Sequence, residues 1–97
     1  MYKYVLRNSL YLDDELQDYF NEMSKKGWRL DFVSYYYRFV KDEHVYKYQI
    51  DYTPISSEYQ DILKEMGYHE VRNSFDDFRV LENENVDAPD LNTEFVF

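Results

Sequence analysis

Along the first seven residues, Tyr2, Tyr4 and Leu6 alternate with Lys3, Val5 and Arg7, the period of a half-buried strand with the tyrosines inward. The period then lengthens. Leu12, Leu16, Tyr19, Phe20 and Met23 recur at helical spacing, with Asp13, Asp14 and Glu15 in the opening turn and Lys25 and Lys26 in the closing one, complementing the helix dipole. Gly27 stands where a left-handed residue ends the helix, and Trp28 where a Schellman motif folds it back on Met23. Beyond it, Trp28, Leu30 and Phe32 share one face of an extended segment, and Tyr35, Tyr37 and Phe39 a face of opposite parity. A β-bulge is therefore expected near Val33 and Ser34. KDEH, residues 41–44, reads as a hairpin turn, and its return strand, residues 45–53, turns Tyr46, Tyr48, Ile50 and Tyr52 inward. Pro54 stops the ladder, and SEYQ from Ser57 matches a capping box. Tyr59, Ile62, Leu63 and Met66 then form a second helical stripe, which Gly67 closes with Tyr68 set against Leu63. YHEVRN (68–73) and DFRVL (77–81) supply two further strands.

The pattern occurs twice. YKY at residues 2–4 returns at residues 46–48, and LQDYFNEM (16–23) returns as YQDILKEM (59–66), each followed by Gly and an aromatic residue. Two βαβ halves predict an α+β, ferredoxin-like two-layer sandwich of order βαββαβ(β), an antiparallel sheet with two helices on one face. In that topology the two YKY strands are central neighbours, and their tyrosines face the helices. Residues 1–82 form the expected single domain, and the aperiodic residues 83–97 an acidic tail.

Composition sharpens this in three ways. Aromatic residues make up 21% of the 97, so large rings supply most of the core. The absence of cysteine excludes disulfides, thiolate chemistry and Cys-based zinc sites, and is in keeping with a reducing compartment. Twenty acidic residues against eleven basic give a net charge of −9, which repels nucleic acid and anionic lipid at long range and favours protein partners. With no long apolar run and no leader-like N-terminus, a soluble cytoplasmic domain is expected.

Candidate chemistry is sparse. His44 and His69 are too few for a typical catalytic zinc site, and neither a phosphate loop nor a nucleophile triad is recognisable. Asp13–Asp14 and Asp76–Asp77 fit a helix start and a turn, and Asp87, Asp90, Asn92 and Glu94 lack the spacing of a calcium loop. No catalytic, cofactor or metal residue is assigned. The alternation leaves Lys3, Arg7, Lys47, Gln49 and Asp51 on an open, mixed-charge sheet face that lacks aromatic stacking platforms, a candidate interaction face and a poor nucleic-acid binder. Phe20, Trp28, Tyr37 and Tyr48 fill the core or line an aromatic pocket.

YKY, EMSKKGW (22–28), YRF (37–39), YQIDY (48–52), EYQDILKEMGY (58–68), FRV (78–80) and DAPDLNTE (87–94) together resemble a bacterial domain-of-unknown-function family, number 2812. The chain departs from the family in having Tyr68 where Trp is usual, and a hairpin turn poorer in Gly. The resemblance implies no activity or cofactor. It implies a soluble domain that often precedes membrane helices and lies near PadR-like regulators, so the chain is either a stand-alone form or the soluble part of a membrane-anchored protein. The leading expectation is a non-enzymatic regulatory or protein-interaction module with an unidentified protein partner, a homodimer being left open. The alternatives are a small-molecule sensor with an aromatic pocket, and an acidic inhibitor imitating nucleic acid.

Overall fold

The computed structural model describes residues 1–6, 13–54 and 56–91. The chain order is β1 (Tyr2–Leu6), α1 (Asp13–Lys25), β2 (Trp28–Val33), β3 (Tyr36–Lys41), β4 (Lys47–Asp51), α2 (Ser57–Glu65), β5 (Tyr68–Glu70), β6 (Arg72–Asn73) and β7 (Arg79–Asn83). The class is α+β, as expected. The strand order departs from one ferredoxin-like sheet: β1-β3-β2-β6 form sheet A and β4-β7-β5 form sheet B. The two YKY strands are thus on different sheets, β1 at the edge of one and β4 at the edge of the other.

Three local events produce the difference. The parity switch after Phe32 is a reversal of direction, not a bulge within one strand: the chain turns at Ser34–Tyr35, where Ser34 N–H bonds Tyr36 O at 2.9 Å, and β2 pairs antiparallel with β3. A bulge is present, but earlier, between Leu30 and Phe32. KDEH then sends the chain to sheet B instead of back along β3. Asp42 shapes this passage, its Oδ1 accepting from His44 N–H at 2.8 Å while its own N–H bonds Gly27 O. Finally, YHEVRN is two strands. Buried Val71 bonds Val80 O through its N–H, after which the chain leaves sheet B as β6, parallel to β2 in sheet A.

The helices end as their glycines predict. Gly27 and Gly67 have φ of 92° and 85°, and each donates its N–H to the carbonyl three residues back, Ser24 O and Lys64 O. The α2 cap is Ser56, one residue before the expected start, with its Oγ accepting from Tyr59 N–H at 3.1 Å. Helix α1 packs on both β2 and β4, and the main core draws on these three elements, β3 and β7: Phe20, Met23, Leu30, Phe39, Tyr48 and Val80. A second core of Tyr59, Leu63, Tyr68, Leu81 and Ala88 lies on sheet B under α2. Within the described residues, no helix is long and apolar enough to cross a membrane.

Candidate functional site

The seam between the sheets is held by polar side chains. Strand β4 pairs with β7 on one edge, leaving the peptide groups of Tyr46, Tyr48 and Ile50 on the other. Helix α1 satisfies them in turn. Ser24 Oγ accepts from Tyr46 N–H at 2.7 Å. Asn21 Oδ1 accepts from Tyr48 N–H at 2.7 Å while its Nδ2 donates to Tyr48 O at 3.3 Å. Gln17 Oε1 accepts from Ile50 N–H at 2.9 Å. Positions 17, 21 and 24 line one helix face, and two strand residues advance about as far as one helical turn, so the helix stands in for a neighbouring strand.

Glu82 sits at the centre of this seam, 1% exposed. Its carboxylate receives the Arg29 guanidinium in a two-point contact at 2.7 and 3.1 Å, the Tyr48 hydroxyl at 2.7 Å and the His69 ring at 2.7 Å. Tyr48 in turn accepts from Leu30 N–H, tying β4 to β2. The hydrogen bond to Glu82 raises the Arg29 pKa against the opposing effect of burial, and burial together with Glu82's charge holds Tyr48 neutral far above its ordinary pKa. Arg29 also lies over the Tyr46 ring, whose hydroxyl, buried and bonded to Asp42, is pushed up to about 12. Both Glu82 oxygens and the buried Tyr48 hydroxyl are engaged by the protein's own groups, as in a structural network. Sequence reasoning left Glu82 unassigned. The expected strand stopped at Leu81, one residue short of it, whereas β7 runs on to Asn83.

The expected interaction face is not one surface. Lys3 belongs to sheet A and lies over the Trp28 ring, whereas Lys47, Gln49 and Asp51 belong to sheet B and are covered. Lys47 Nζ donates to Ala88 O at 2.6 Å and pairs with Asp90. Gln49 Oε1 accepts from Tyr68 hydroxyl and Leu91 N–H, so residues 88–91 dock on this face. Asp51 accepts from Arg79, Tyr59 and Thr53 N–H. Arg7 lies outside the described residues. Of the expected core or pocket residues, Phe20, Tyr37 and Tyr48 are fully buried, with Phe20 edge-on to Tyr37 at 5.1 Å and to Tyr48 at 6.2 Å, so rings occupy the space between them. Trp28 is half-buried at the rim of the same core.

The surface that does stand open is the outer face of sheet A. Cross-strand partners share a face, which places Tyr2 with Val40, Tyr4 and Phe32 with Arg38, Leu6 with Tyr36, and Phe32 with Arg72. Tyr2, Tyr4 and Leu6 are 55, 61 and 84% exposed. The rings form a continuous row: Tyr2–Tyr4 at 6.4 Å, Tyr4–Tyr36 at 5.7 Å and Tyr36–Phe32 at 6.0 Å between centroids. Arg38 lies over Tyr2 and Phe32, and Arg72 over Phe32. The expectation that Tyr2 and Tyr4 point inward is therefore reversed. The residue of β1 that packs on the core is Val5, and its neighbour on that face, Lys3, spans Trp28. Val5 on the Lys3 side was the signal in the sequence that would have given the correct parity.

Within the described residues, no three His, Asp or Glu side chains are grouped as around a metal ion. No curated protein and no solved structure matches the chain. A family model does match it, over residues 13–95, and carries the description "Protein of unknown function (DUF2812)". That span covers most of the sequence, both helices and every strand but the first: the chain belongs to this family.

Proposed function

We propose that the protein is a non-enzymatic interaction module of a regulatory kind, and that its partner is a protein bound on the outer face of sheet A. One observation carries this reading: a row of rings interleaved with arginines, Tyr2 and Tyr4 exposed and Tyr36 and Phe32 half-buried, lies on one face of sheet A while the opposite face is packed. Tyr and Arg are the residue types that dominate binding hot spots, because they bury large areas at low conformational cost and still offer hydrogen bonds. Large apolar residues scattered singly would need no explanation, but a contiguous row does. The same rings are able to stack nucleobases. The net charge of the whole chain, −9, opposes that use by long-range repulsion, against the local attraction of Arg38 and Arg72, so we take a protein as the occupant and an oligonucleotide as the competing outcome of the test.

The test replaces Tyr2 and Tyr4 together by Ser. Both rings are exposed, so the melting temperature stays near that of the wild type. Recovery of the native partner from host extract should fall about tenfold, the equivalent of ~1.4 kcal/mol. Equal recovery by both forms, or retention of a uridine oligonucleotide by the wild type alone, would remove the proposal.

A further inference from the structure

The partner's chemistry follows from the edge of sheet A, an inference that rests on the reading just proposed. Strand β1 pairs only with β3 among the described residues. Met1 O accepts from Lys41 N–H, and an antiparallel ladder alternates, so Met1, Lys3 and Val5 turn their peptide groups toward β3. Tyr2 and Tyr4 turn theirs outward. The exposed rings and the backbone positions left without a strand partner among the described residues thus belong to the same two residues. Edges of this kind template a further strand, and natural proteins usually guard them with charges, bulges or proline. The one charge in β1, Lys3, is drawn over Trp28 at 5.4 Å.

Charge is also unevenly distributed. The four strands of sheet A contain Lys3, Arg29, Arg38, Lys41 and Arg72 against the single carboxylate Asp31. Arg29 is committed to Glu82 and Arg38 to Asp31, but Lys3, Lys41 and Arg72 have no carboxylate within ion-pair distance among the described residues. Within a chain of net charge −9 the strands of sheet A are therefore basic, with Lys3 and Lys41 on the side of Val5 and Trp28 and Arg72 on the side of the ring row.

We infer that sheet A is extended by a strand from the partner: an extended segment in which apolar residues alternate with acidic ones, added along β1. Its backbone bonds the outward peptide groups of Tyr2 and Tyr4. Its apolar side chains continue the ring row, and its carboxylates fall on the opposite side, beside Lys3 and Lys41. This is strand addition, in which the main chain supplies affinity and alternate side chains supply selectivity. A second copy of the chain fits less well, because β1 laid on β1 brings Lys3 toward its own counterpart with no carboxylate on either strand.

Two eight-residue probes decide it, one alternating valine with glutamate and one valine with lysine. The dye-labelled glutamate peptide should bind the protein at least about tenfold more tightly in low salt. It should slow amide exchange at Tyr4 while leaving Val5 unchanged, and lose its binding when the amides along one of its edges are N-methylated. Lys3→Glu should invert the preference between the two peptides. Equal affinities, undiminished binding of the methylated peptide, or a protein dimer with Tyr4 protected in the absence of peptide would each overturn the inference. The Tyr2/Tyr4 double variant separates the two levels. If it still loses the native partner while the glutamate peptide fails to bind, the strand chemistry alone falls. If it keeps the partner, the module reading falls too.

Discussion

Gly27 and Gly67 share a left-handed backbone but not their surroundings. A Cβ on Gly27 would meet only Asp42 O at 3.8 Å, whereas one on Gly67 would press on the Asn83 amide at 3.3 Å, a group that donates to Met66 O. Gly27→Ala should therefore cost about 1 kcal/mol, the price of the conformation, and Gly67→Ala measurably more in urea denaturation. Glu82→Ala takes the partner from the buried Tyr48 hydroxyl and from Arg29, whose guanidinium water still reaches, and should cost about 1 to 3 kcal/mol. Acid behaviour has a single-residue origin as well. Burial would raise the Asp51 pKa, but hydrogen bonds from Thr53, Arg79 and Tyr59 outweigh it and hold the carboxyl below its ordinary value of 3.8. A depressed folded pKa adds stability above the ordinary value, and that stability is lost as pH falls through the folded one. Urea midpoints between pH 5 and pH 2 should thus decline less steeply in Asp51→Asn than in the wild type.

At the scale of elements, α1 does the work of a strand. Asn21→Ala removes both bonds to the Tyr48 peptide and leaves an N–H and a C=O unsatisfied in the seam, an expected loss of about 1 to 3 kcal/mol by chemical denaturation. This ladder also explains why helices were legible in the sequence and strand pairing was not. The apolar stripe of Leu16, Phe20 and Met23 and the terminal Gly27 are local signals, and both appear where expected. Gln17, Asn21 and Ser24 carry no such signal, because their partners are peptide groups of β4, distant in sequence. Ring-rich strands mislead for a related reason: tyrosine is as suited to an exposed face as to a core, so Tyr2 and Tyr4 carried no parity of their own. The internal repeat was real at the helix ends, and there alone it predicted geometry. Equivalent sequence did not give β1 and β4 equivalent neighbours, because β4 found α1 on one side and β7 on the other.

In the whole molecule the two sheets share a core, with Phe39 from sheet A, Tyr48 and Val80 from sheet B, and Phe20 of α1 among them. Unfolding should be a single cooperative event. Fluorescence of Trp28, the only tryptophan, and far-UV circular dichroism should give coincident urea transitions, and separated ones would show sheet A melting independently. The α1 ladder has a further consequence, for what lengths of chain the fold admits. Its three contacts depend on angular phase, and one residue inserted between Gln17 and Ser24 rotates everything beyond it by about 100°. Ser24 would leave Tyr46, and the strand would keep only the contacts before the insertion. The eight positions from 17 to 24 are therefore a fixed ruler: substitutions within them are graded in effect, whereas an insertion or deletion of a single codon disconnects the helix from the strand it completes.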